Sequence, residues 1–219
     1  MKRSVSSLVL VAIAFLGIQN CFEYEETIQF KKGFSGTVEI SYEVPLKDDQ
    51  KSSLIRYLPT QKENIEDKLS QGISKGKLVI RDYNFRLLEK GEFIEPFFEN
   101  KGRVSYKVDF QDISEIERIL PGNMIVKTKG KTVTIRRDFP SLDDNFFESS
   151  SVGEKKIISE ISKLLKEGSM RFRVIFPTNT ECYSNKGSVS LGQVNYVYAL
   201  SDSLDQNQSK VWEYRLRFF

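Results

Sequence analysis

From residue 22 onward, apolar side chains recur at every second position, a spacing that fits a strand with one buried face. Phe22, Tyr24, Ile28 and Phe30 share one parity, and Val38, Ile40, Tyr42 and Val44 share a parity again. Between them Lys31–Gly36 supplies turn residues, so the two runs read as a β-hairpin. The pattern returns at Leu78–Phe85 and at Val104, Tyr106, Val108 and Phe110. Met124–Thr128 and Thr132–Arg136 flank Lys129-Gly130-Lys131 as a second hairpin. Three runs finish the chain: Phe172, Val174 and Phe176; Val194, Tyr196, Tyr198 and Leu200; Trp212, Tyr214, Leu216 and Phe218. Helical spacing is confined to three places. Thr60 and Glu63 open a polar stretch with Ile65 and Leu69 on one face, and Gly72 suits its stop. Asp112 and Glu115 have the same capping spacing, with Ile113, Ile116 and Leu120 as the apolar positions, ended by Pro121-Gly122. Ser151 and Glu154 open the third, with Ile157, Ile158, Ile161, Leu164 and Leu165 before Gly168. The expected fold class is α+β: one domain over residues 21–219, with an antiparallel, curved β-sheet packed against two or three helices.

The first twenty residues differ from the rest. Lys2 and Arg3 precede an apolar run from Leu8 to Ile18, too short to span a bilayer as a helix and of signal-peptide length. Cys21 follows after Gln19-Asn20. An export signal ending at a Cys is the arrangement in which a thiol receives diacylglycerol before cleavage. Ile18 fits the position three before that Cys, whereas Gln19 and Asn20 are larger than the usual Ala, Ser or Gly. The loose box resembles that of spirochaetal lipoproteins. Residues 1–20 are therefore expected to be a lipoprotein signal peptide, and Cys21 the lipidation site. Acyl chains such as palmitate would then hold the protein to a bacterial membrane, either the outer membrane or the periplasmic face of the inner one. A secreted form cleaved elsewhere and an uncleaved anchor are the alternatives. Because β-type alternation begins almost at Cys21, the domain should sit close to the bilayer rather than on a long tether.

Composition narrows the chemistry. The chain has no histidine, which removes the commonest general base, the Ser–His and Cys–His dyads and every His-ligated metal site. Its two cysteines cannot build a four-Cys zinc site, and a net charge of +3 does not argue for nucleic acid. With Cys21 acylated, Cys182 has no partner and reads as a small buried hydrophobe. No phosphate-loop, dinucleotide, nucleophile-elbow or zinc-protease motif is present. Asp143-Asp144-Asn145 lacks the Gly and distal Glu of a calcium loop and reads as a solvated turn. No catalytic residue, metal or cofactor is expected.

The order of elements resembles the LppM-like envelope lipoproteins. Those begin with a lipidated Cys, a strand, a Gly-Ser-Gly-type turn and a second strand; here Cys21, Gly33-Phe34-Ser35-Gly36 and Thr37-Val38 stand in those places. A strand running into a short helix matches Val104–Phe110 and Ile113–Leu120. A strand closing in Pro, a turn and an aromatic strand match Phe172–Pro177, Asn185-Lys186-Gly187 and Tyr196. Thr178 replaces the Gly that usually follows that Pro, Lys186 splits the Asn-Gly pair, and Tyr196 stands where Trp is frequent. The resemblance implies an envelope protein, in some members one that contacts lipid or glycolipid, and supplies no catalytic residues.

Two kinds of contact residue stand out. Arg171, Arg173, Arg215 and Arg217 occupy outward parities of late strands, and Lys127, Lys129, Lys131, Arg136 and Arg137 cluster at the second hairpin. Such cations suit anionic headgroups, or a solvated face balanced by Glu213 and Asp109. Phe93, Phe97 and Phe98 form an aromatic segment that would either line a pocket or plug the core, and Phe146-Phe147 reads the same way. The inward parities are rich in rings, which would either line an apolar cavity for an acyl chain or fill the core. The function expected is a non-enzymatic binding or interaction module at the membrane, with a lipid, a glycolipid or another envelope protein as its further partner. A carboxylate-dependent hydrolase of envelope glycans and a host-directed adhesin are the alternatives.

Overall fold

The computed structural model describes residues 22–31, 33–46, 52–53, 58–71, 78–88, 100–117, 119–139, 168–203 and 209–219. The described residues form eleven strands: β1 (Glu23–Phe30), β2 (Gly36–Pro45), β3 (Ile80–Leu88), β4 (Lys101–Phe110), β5 (Asn123–Lys129), β6 (Thr132–Asp138), β7 (Ser169–Ile175), β8 (Thr180–Ser184), β9 (Ser188–Ser190), β10 (Gln193–Ala199) and β11 (Val211–Phe218). The described residues hold one α-helix, α1 (Lys62–Gln71), and two 3₁₀ turns, Ile113–Ile116 and Leu200–Ser203.

The strands form two sheets. A seven-stranded sheet runs in the order β3-β4-β2-β1-β7-β10-β9, and a four-stranded sheet in the order β5-β6-β11-β8. This corrects the expected α+β architecture of one antiparallel sheet on two or three helices. The inner face of the larger sheet is covered mainly by a second sheet, through Phe30 on Phe218 at 5.7 Å, Phe172 on Trp212 at 5.5 Å and Tyr196 on Trp212 at 5.0 Å. The larger sheet is not wholly antiparallel either, because β1 and β7 pair in parallel. The expected helix at Ile113–Leu120 is a single 3₁₀ turn over Ile113–Ile116, its start held by Asp112 Oδ1 accepting from the Ser114 amide at 2.9 Å. The expected helix of residues 151–167 lies outside the described residues.

Parity does predict burial in the strands with one covered face. Tyr106, Phe110, Phe172, Phe176, Tyr196, Tyr198, Trp212, Tyr214 and Phe218 are all buried. The β1–β2 and β5–β6 hairpins form as expected, whereas β8 and β9, short and largely exposed, went unread. Gly36 is the tightest point of the first hairpin: a Cβ there would run into the Gln29 carbonyl oxygen and the Phe110 ring. Gly130 turns the second hairpin at φ +59° with open space around it. Gly36→Ala should therefore destabilise the protein by about 2 kcal/mol or more, since backbone must move. Gly130→Ala should cost only about 1 kcal/mol, the left-handed penalty alone. Urea denaturation of both variants checks the difference.

Candidate functional site

Four strands cannot cover seven, and α1 packs over part of what remains of the larger sheet's inner face. Ile65 and Leu69, four residues apart on one side of α1, are buried, with Tyr24, Ile40, Tyr42 and Tyr106 of the sheet opposite them across a cavity of about 380 Å³. Ile119-Leu120-Pro121 closes another wall, and Leu58 and Pro59 close the rim. That volume lies within the range of small-molecule sites, roughly 300–1,000 Å³. The lining is mostly apolar. Its polar side chains are those of the three tyrosines and of Lys68, whose pKa burial lowers by desolvation. The Tyr42 hydroxyl donates to the Pro59 carbonyl at 2.5 Å, tying the rim to the sheet.

Beyond Tyr24 lies a buried charge pair that sequence reading missed. Tyr24 donates to Glu26 Oε2 at 3.0 Å, and Glu26 Oε1 receives Arg137 Nη2 at 2.9 Å. Arg137 belongs to β6 of the other sheet, is fully buried, and lies 4.9 Å from the centre of the Phe172 ring. Its Nε and Nη1, with the Tyr214 hydroxyl, find no hydrogen-bond partner among the described residues. Burial works against the Arg137 charge, but Glu26, Tyr214 and Tyr24 together hold its pKa above the ordinary value. The earlier grouping of Arg137 with the surface cations of the hairpin is therefore corrected. The available signal was parity: Arg137 continues the inward series of Val133 and Ile135, as Glu26 continues that of Tyr24 and Ile28.

The other expected contact residues divide. Arg171 and Arg173 lie exposed on the outer face of the larger sheet, whereas Arg215 and Arg217 lie exposed on that of the smaller sheet. The four do not form one patch. Arg171 faces Glu25 at 3.3 Å and Glu23 at 3.7 Å, and Arg217 faces Glu181 at 3.6 Å. Cys182 is half-buried against the core, and burial pushes its thiol up to about 11. Cys21, Phe93, Phe97, Phe98, Phe146, Phe147 and Asp143–Asn145 lie outside the described residues. Among those described, no group of three or more metal-ligating side chains comes together, and no helix is long and apolar enough to cross a membrane.

Removing one partner of a buried pair leaves the other charge uncompensated, at about 3–5 kcal/mol. Arg137→Met should therefore lower the urea midpoint sharply. Glu26→Gln combined with Arg137→Met should recover part of that loss. The tyrosines give a second expectation. Burial first, then the charge of Glu26, raises Tyr24 and Tyr106 above the ordinary value of 10.0, and burial first raises Tyr196 to about 12. A raised folded pKa favours the neutral phenol in the native state. Its contribution to stability is whole below pH 10 and is lost as pH rises toward and through 12. Absorbance titration at 295 nm should show these phenols ionising late and together with loss of tertiary circular dichroism.

No curated protein matches this sequence. Among solved structures, the folded domain of LppM from Mycobacterium tuberculosis is similar at a TM-score of 0.47 and 10% identity, over 90% of each chain. An aminopeptidase N family protein from Idiomarina loihiensis is similar at a TM-score of 0.33 and 10% identity, over 90% of this chain but 29% of that one. Likeness that distant transfers neither ligand nor activity. The family comparison is of another order, because a family model spans residues 16–219. The chain belongs to the LIC11874-like family.

Proposed function

We propose that this protein is an exported lipoprotein held at a bacterial membrane through acylated Cys21, and that it works without catalysis by binding an amphipathic lipid or glycolipid. The observation that carries the binding half is the cavity of about 380 Å³ between α1 and the inner face of the seven-stranded sheet. An acyl chain would lie against Ile40, Ile65, Leu69 and Leu120. Such a site stabilises a ligand mainly by removing apolar surface from water, at about 25 cal/mol per Å². The anchor half is supported by the apolar run from Leu8 to Ile18 and by Cys21 directly before the first strand. A hydrolase would need two carboxylates facing one substrate; among the described residues the cavity lining has no Asp or Glu.

Both halves have direct tests. Growth with an alkynyl fatty acid should label the wild-type protein and leave Cys21→Ser unlabelled; a labelled serine variant overturns the anchor. Native mass spectrometry of the full-length protein, released from membranes in mild detergent, should show a bound lipid. Leu69→Trp, which fills the cavity, should remove that adduct while leaving the acylation mass in place. A wild-type protein consistently free of adduct overturns the binding role.

A further inference from the structure

The two outer faces of the sandwich are charged in different ways. On the seven-stranded sheet, cations and carboxylates alternate in space. Arg171 faces Glu23 and Glu25, Arg103 faces Glu23 and Glu43, Arg81 faces Asp109 and Lys107 faces Asp82. That face neutralises itself. On the four-stranded sheet the strand register sets two rows across the outer surface. Lys127, Thr134, Arg215 and Tyr183 form one row, and Lys129, Thr132, Arg217 and Glu181 form the next. Along a strand the rows lie about 7 Å apart, and the Lys and Arg of one row lie about 10 Å apart across β6. These eight residues line a shallow trough of about 950 Å³ in which, among the described residues, Glu181 supplies the one carboxylate. Among the described residues no ion pair reaches Lys127, Lys129 or Arg215, so three of the four cations face water without a counter-charge.

We propose that this trough binds a phosphate-bearing polyanion from the aqueous side. The donor set has the chemistry phosphate requires. Two guanidinium forks and two ammonium groups surround the threonine hydroxyls of β6, which add neutral donors at the floor. A rectangle of cations about 7 by 10 Å engages successive charges of one molecule rather than a single ion. The trough carries no exposed aliphatic side chain that would enter a bilayer; the exposed apolar surfaces at it are the Tyr183 ring and, stacked on Arg217, the Phe219 ring. Its Lys129–Arg217 end adjoins Phe218, which packs on Phe30 at the end of β1 remote from residue 21. Given the Cys21 anchor proposed above, that end is turned away from the anchoring bilayer. The anchor bears on the choice of source alone; the trough and its charges are independent of it.

Isothermal titration of the full-length protein in nonionic detergent with sodium tripolyphosphate tests the site. Binding should be measurable at low ionic strength and weaken as salt is added. Lys127→Gln with Lys129→Gln, and separately Arg215→Gln, should each weaken it by about tenfold. Glu181→Gln should tighten it, and Arg171→Gln with Arg173→Gln, on the opposite face, should leave it within about twofold. All these side chains except those of the opposite-face control line the trough at the surface, and thermal melts should confirm that each variant folds. No binding at low salt, or an equal loss from the Arg171 and Arg173 control, overturns the proposal. So does uptake by phosphatidylglycerol vesicles through Lys127 and Lys129 that tripolyphosphate cannot displace, which would identify a bilayer as the occupant. Acyl binding in the α1 cavity is read by the mass of the adduct and stands or falls separately.

Discussion

The structure depends on one ion pair, Glu26 with Arg137, which crosses between the sheets at the centre of the core. Burying two charges is expensive, and a hydrophobic pair of similar volume would often serve stability as well. Position explains more than energy does. Each residue sits on the inward parity of its strand, and a slip of β1 or β6 by one residue would turn a charge to solvent and bring a row of apolar side chains out with it. The pair therefore fixes which register of each sheet can face the other. Tyr24 adds to the same group through its bond to Glu26, and Trp212, whose indole donates to Ser184 Oγ at 3.0 Å, packs on Phe172 under the guanidinium.

Strand content was legible because alternation reports one buried face, and in these strands one face is buried. Sheet membership was not legible for the same reason. Leu216 of β11 and Phe172 of β7 carry the same local signal, an apolar residue between two arginines, yet they belong to opposite sheets. Alternation states that a face is covered and not by what, so helices were expected where a second sheet stands. The short strands β8 and β9 escaped because both of their faces are largely exposed or only half-buried. Of the site, the outward arginines were readable as outward. Their division between two faces depends on strand order, which no local pattern encodes. Arg137 was grouped by sequence proximity to Lys127 and Arg136, whereas its parity placed it inside.

The uneven number of strands has its own effect on where ligand-sized space can exist. Rings from both sheets interlock where the sheets overlap, with Phe172 on Trp212 at 5.5 Å and Tyr196 on Trp212 at 5.0 Å. Of the nine inward aromatics read from the late and middle strands, Tyr106 is the one that reaches the cavity. Space is left under α1, because a single ten-residue helix matches the sheet beneath it less closely than a second sheet does. Helix and sheet surfaces have different periodicities, and the mismatch at their contact is where a cavity costs least.

The first strand stands in the middle of the larger sheet, paired on one side with β2 and on the other with β7. It begins at Glu23, with the Phe22 carbonyl already accepting from the Ser169 amide at 3.0 Å. A pull on the chain from residue 21 is therefore directed along β1. Both neighbouring ladders resist it in shear, their hydrogen bonds loaded together rather than opened one after another from an edge. A force that drags the protein by its N-terminal end thus meets two ladders at once before it can unravel either.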